Sequence, residues 1–344
     1  MSGERLAVGL AAAVVALLAL ALLFGAATLG LRALNERRAR RSARLEADWT
    51  PHLLAVLSGD AAPVALASRV SAGDRALFVD FLLRFAQRLR GPERELLAAV
   101  AEPYLDDVER RARHGGEERR ALAVQLLGAL GAARHAATVR AALDDPSPLV
   151  AMTAAQSLAS HGRAEHAAAI LERLPRFGEW SPGFLASMLA RLGAGAAPAL
   201  RSLLADSVRA PGDRAVAAEA LRAMHDMPAA DAARAAVTTA SDPDLMAAAL
   251  RLLAAVGSPA DAPVVRAAAR SADPVVRAQA CAALGAIGNA DDAAALAALL
   301  DDASPWVVLH AARSLKAVGG LALLGAAAAR PGADLVRQAA AELR

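Results

Sequence analysis

The chain has 344 residues rich in alanine, leucine and arginine, with aromatics at 3% and one lysine, Lys316. Its formal net charge of +3 is uneven: residues 1–48 hold seven arginines against four acids, leaving 31 of the 38 basic and 31 of the 35 acidic residues for the remainder. A neutral body lacks the electrostatic footprint of a nucleic-acid binder, a lone cysteine excludes an internal disulfide framework, and strong helix formers point to an all-α fold.

From Leu6 to Leu31 there is no charged residue. As a helix, that run reaches about 39 Å, against the ~30 Å of a bilayer's hydrocarbon core. Residues 1–34 are therefore expected to form a single transmembrane helix contacting lipid through 6–31. A cleaved signal peptide is the alternative, and the apolar run is long for one. Arg37, Arg38, Arg40, Arg41 and Arg44 follow in a basic juxtamembrane stalk over 35–49. The positive flank places the rest of the chain in the cytoplasm, at a single-pass inner membrane. These arginines either attract anionic head groups or serve only as a topology anchor. Trp49 is taken as the start of the folded domain.

Residues 50–114 read as helical but follow no repeat, which suits a cap. Leu77, Phe78, Phe81, Leu82, Phe85 and Leu89 make Asp74–Arg90 the most apolar part of this stretch. They form either the cap's core or a face that docks a membrane partner.

Beyond 115 a leucine returns at a period near 31: Leu127, Leu158, Leu189, Leu221, Leu253, Leu284 and Leu315. Four residues before each stands alanine, except Leu185; four after, glycine, except His225. Such self-similarity marks a stacked array in which no unit buries its apolar face alone. Pro243, Pro274 and Pro305 sit at helix starts, with Asp242 and Asp273 as N-caps. A second helix follows in each unit: 134–143, 164–174, 196–204, 229–239, 261–270 and 291–300. Cys281, beside Ala280, is expected to be a buried, inert thiol.

The stretch Asp273-Pro274-Val275-Val276-Arg277-Ala278-Gln279-Ala280-Cys281-Ala282-Ala283-Leu284-Gly285-Ala286-Ile287-Gly288 resembles the second helix of a HEAT repeat, of the short HEAT-like type also found in phycobilisome lyases. Weaker copies extend the resemblance over 115–344. It implies a right-handed α-solenoid of HEAT-like helix pairs, with this helix lining the concave face and Asp273 and Arg277 bridging adjacent repeats.

Signatures of chemistry are missing from the sequence. It has no phosphate-binding loop, no dinucleotide fingerprint, no His-Glu-x-x-His and no cysteine pair. HEAT-like iron hydroxylases carry His-Glu dipeptides, and none occurs here, so no cofactor and no metal is expected. Two residues before each column leucine stand Gln125, Gln156, Ser187, Glu219, Arg251, Ala282 and Arg313, a polar ladder on the face away from the core. Near its end Trp306, His310 and Arg313 share one helical stripe, and Trp and Arg favour binding hot spots. The expected function is a membrane-anchored, non-enzymatic scaffold or regulatory subunit. Its partner would be a membrane-associated protein and not a nucleic acid. Resemblance to bacterial membrane-anchored HEAT-like proteins suggests an integral-membrane complex such as a polysaccharide-synthesising glycosyltransferase. The alternative is a lyase-like or modifying enzyme acting in the concave groove.

Overall fold

The computed structural model describes residues 2–86, 88–89, 92–131, 133–160 and 163–342, without the side chains of 2–19, 21, 22, 27, 34, 35, 38 and 133. Helices make up the ordered elements, and no strand occurs among the described residues. Two compact units form: Met1–Arg110 with Ala129–His135, and Arg111–Gly128 with Ala136–Arg344.

The first unit is built on one continuous helix, Ser2–Leu57. It takes in both the apolar run and the basic stalk, and Gly59, at φ 84°, turns the chain just beyond its end. Most side chains of the expected span Leu6–Leu31 lie outside the described ones. Among the described residues no single helix is long and apolar enough to cross a membrane. Leu20, Leu23, Phe24, Leu29 and Leu31, from the second half of the run, are 61–72% exposed.

At its other end the same helix enters a core. Trp49, Leu53 and Val56 are buried. The Trp49 ring meets Phe78 edge-on at 5.0 Å and Phe81 at 5.6 Å; Phe78 meets Tyr104 at 5.3 Å. Tyr104 donates its hydroxyl to the Ala67 carbonyl at 3.0 Å, so that its polar tip is satisfied. The phenylalanines Phe78 and Phe81 are thus spent on packing and offer no docking face. Two ion pairs brace the helix against this core: Arg41 to the buried Asp74 at 2.7 Å, and Arg84 to Glu46 at 2.6 Å.

In the second unit the leucine helices stand in a row: Glu117–Leu130, Pro148–Ser160, Pro182–Ala190, Pro211–Met224, Pro243–Val256, Pro274–Ile287, Pro305–Ala317 and Asp334–Glu342. Each column leucine is 0–1% exposed. A second layer runs between them, and its helices are shorter than the sequence suggests. Tight 3-10 turns such as Pro259–Asp261 and Ala290–Asp292 precede Ala262–Ala268 and Ala293–Ala298. Successive leucine helices cross closely where side chains vanish. A Cβ on Gly285 would lie 2.5 Å from Ser314 Oγ and 3.0 Å from its Cα, and one on Gly128 only 2.3 Å from Ser157 Cβ. Ser314 Oγ donates to the Cys281 carbonyl across that gap, at 2.7 Å.

Four of the glycines that follow the column leucines show two different causes. Gly193 and Gly319 adopt φ 76° and 83°, a left-handed conformation that disfavours a side chain. Gly257 and Gly288 have ordinary negative φ, but a Cβ would collide with the Leu253 and Leu284 carbonyls at 2.5 and 2.4 Å. His225, the exception in the sequence, takes the left-handed conformation without being glycine, at φ 52°.

Candidate docking face and repeat joints

The expected N-caps form. Asp242 accepts from the Leu245 amide at 2.9 Å, and Asp273 from the Val275 and Val276 amides at 2.8 and 3.2 Å. Asp273 therefore caps its own helix and does not bridge repeats; its short side chain folds back on the first turn. Arg277 does bridge. Its guanidinium makes a two-pronged pair with Asp302 of the next unit, at 2.8 and 2.9 Å, and also holds the Ser271 and Ala272 carbonyls. Arg277 holds the Asp302 carboxyl below its ordinary value through that hydrogen bond. Arg120, at the equivalent position five units earlier, grips Asp145 in the same way, at 2.9 and 2.8 Å.

A second set of joints runs through the other helix layer. Eight residues after the column leucines stand His135, His166, Ala197, Ala229, Asp261, Asp292 and Leu323; the four polar ones are each 1% exposed. Asp261 Oδ2 accepts from the Ser258 amide at 2.9 Å, and its Oδ1 from Arg234 of the preceding unit at 2.6 Å. Asp292 repeats this with Asn289 at 3.0 Å and Arg266 at 2.5 Å. His135, within the first unit, faces carboxylates: Glu109 at 3.4 Å and Glu102 at 3.8 Å. Sequence reasoning missed this position, because its occupants change from His to Ala to Asp to Leu along the array and share no single residue type.

The ladder residues spread along the exposed side of the leucine helices. Gln125 and Arg313 are exposed; Gln156, Glu219 and Arg251 are half-buried. Glu219 and Arg251, on adjacent helices, pair at 2.5 Å, and Arg222 takes the other Glu219 oxygen at 2.8 Å. These two ladder residues are therefore engaged with each other. On the Pro305 helix Trp306 is 68% exposed and His310 half-buried, its imidazole pushed below its ordinary value by burial and then by Arg313. Sequence reasoning missed two neighbours: Val275 and Leu335, like Trp306, are the second residue of their helices and are 51% and 43% exposed. Because the Pro274, Pro305 and Asp334 helices pack in succession, this gives an open apolar stripe across three of them.

Of the stalk arginines, Arg37, Arg40, Arg41 and Arg44 are exposed. Arg40 lies 3.5 Å from Glu36, and Arg41 is committed to Asp74. The Arg38 side chain lies outside the described ones. Cys281 is fully buried and burial pushes its thiol up to about 12, as suits an inert thiol. Among the described residues no group of three or more His, Cys, Asp or Glu side chains is placed to hold a metal ion.

Residues 262–343 match the family model for HEAT repeats. Compared by sequence with curated proteins, the chain matches none. Solved structures that this chain matches in part include Kap121p bound to Nup53p, 14% identical, with a TM-score of 0.49, covering 81% of this chain and 38% of that one. Human deoxyhypusine hydroxylase in complex with glycerol is 19% identical, with a TM-score of 0.31, covering 73% and 97%. An engineered protein is 20% identical, with a TM-score of 0.33, covering 60% and 95%. The chain thus spans less than two-fifths of Kap121p's length.

Proposed function

We propose that this chain is a non-enzymatic scaffold whose repeat array holds a protein partner beside a membrane. The observation that carries the reading is the stripe of Val275, Trp306 and Leu335, open to solvent on three successive packed helices, with Arg313 on the Trp306 helix. Grouped exposed apolar side chains mark interaction sites, and tryptophan and arginine supply most binding hot spots. A repeat array presents such a stripe rigidly, since each helix is fixed by its neighbours.

The membrane part rests on the long first helix. Leu20, Leu23, Phe24, Leu29 and Leu31 point around it and stay bare, as lipid-facing side chains would. Anchoring would raise the local concentration of array and membrane partner without any new contact. An integral-membrane complex of the polysaccharide-synthesising kind is the partner class that the family resemblance suggests.

The test is co-purification from solubilised membranes, with intact chain against Trp306→Ala combined with Arg313→Glu. Both side chains are exposed, so the double variant should keep its melting temperature and lose its partner. Undiminished partner recovery would remove this face from the proposal.

A further inference from the structure

The joint at His166 differs from its counterparts in a way that packing alone does not explain. His166 occupies the slot of Asp261 and Asp292, at 1% exposure. Those carboxylates face arginines and form ion pairs. His166 faces an arginine too: Arg140, 26 residues earlier on the Ala136–Ala141 helix, places Nη2 3.5 Å from His166 Nδ1. Neutral imidazole accepts that donor; imidazolium would set two cations together in a buried space.

We propose that the His166–Arg140 contact is an acid-sensitive joint, a place where the array loosens when the imidazole gains a proton. Among the described residues, the charged groups near it set the sign. Arg140 comes from the preceding helix, while Arg163 and Glu165 lie on the histidine's own turn. The packed turn Ala194–Ala196 brings only alanine and glycine. Burial first, then Arg140 and Arg163, hold the imidazole below its ordinary 6.5, and the 60% exposed Glu165, 4.0 Å away, opposes them weakly. A histidine kept neutral when folded gives stability that is complete above pH 6.5 and drains away as pH falls towards the folded value. The carboxyl at Asp261 lies below its ordinary value, so that joint loses nothing in this range.

Hydrogen exchange of the full chain in detergent micelles, corrected for intrinsic rates, tests this between pH 7.5 and 5. Protection over 136–144 and 164–172 should fall roughly tenfold for each unit by which the folded imidazole is depressed. The 259–268 segment, with Asp261 in the slot, serves as the control and should not fall. His166→Asn cannot titrate and should flatten the response. Arg140→Glu copies the carboxylate that His135 faces and should invert it, with protection rising in acid. A purely structural histidine would give no inversion. Equal behaviour of both segments in the native chain overturns the proposal, as does an undiminished response in His166→Asn. If Arg140→Glu fails to fold, the native and Asn comparisons decide.

Discussion

Single residues of this array are held by charge and backbone conformation, and both can be tested. His225 sits at φ 52° and ψ 45°, capping the Pro211 helix where other units place glycine. A left-handed side-chain-bearing residue costs about 1 kcal/mol that glycine does not. His225→Gly is therefore expected to stabilise the chain by about 1 kcal/mol, against the usual cost of adding glycine; a melting curve checks it. The acid response should come in two steps. His166 and His310 are both held neutral, so their contributions are lost first, as pH falls below 6.5. Asp302, depressed below 3.8 by Arg277, keeps its contribution above that value and loses it as pH falls through the folded one. Arg277→Leu should cost about 2 kcal/mol at neutral pH, the scale of a charge-assisted hydrogen-bond pair, and shrink the second step while leaving the first. Denaturant titrations at pH 7.5, 5 and 3 would show both.

At the scale of helices, the close crossings decide stability. Alanine is a better helix former than glycine by about 1 kcal/mol, so propensity alone favours Gly285→Ala. The crossing opposes it, because the added Cβ meets both side chain and backbone of Ser314. Overpacking of this kind costs about 1–3 kcal/mol, so the substitution should destabilise, and Ser314→Gly added to it should restore much of the loss. A double-mutant cycle by chemical denaturation measures this. Much of this layer was legible in the sequence. Leucines at a 31-residue period had to be buried, and every one is; alanines four residues before them had to let helices approach, and they do. Proline and aspartate marked the helix starts. Other features were not legible, for physical reasons. Gly285 and Gly128 are one position past the column and stand out only once the partner helix is in place. Glu219 and Arg251 were read as free polar surface, but residues 32 apart meet when helices stack, and these neutralise each other. The stripe of Val275 and Leu335 around Trp306 was passed over because an apolar residue at a helix start reads as core until its exposure is known.

For the whole molecule, the governing feature is that one helix carries two kinds of surface. Between Ser2 and Leu57 it runs ~84 Å. Its far end is part of a protein core through Trp49, Leu53 and Val56, and its nearer part leaves large apolar side chains bare. The 17 residues from Arg32 to Asp48 span about 25 Å as helix, so they set a stand-off between the apolar run and the aromatic core. The ion pairs Arg41–Asp74 and Glu46–Arg84 stiffen the lower part of that spacer. The effect of removing the apolar run therefore depends on where the cut falls. A chain starting at residue 35 keeps both pairs and all of Trp49's contacts; one starting at residue 49 loses Arg41 and Glu46 and leaves Asp74, 7% exposed, without its cation. In liposome flotation the intact chain should rise with the vesicles and residues 35–344 should stay at the bottom, folded and with an unchanged melting temperature. Residues 49–344 should also stay at the bottom but melt earlier, by the several degrees that the loss of both ion pairs represents. If 35–344 floats as well as the intact chain on neutral vesicles, the bare leucines and Phe24 are not what holds the protein to lipid. If it floats only on anionic vesicles and is released by salt, the exposed arginines Arg37, Arg40 and Arg44 carry the attachment, since only a charge contact is screened in that way.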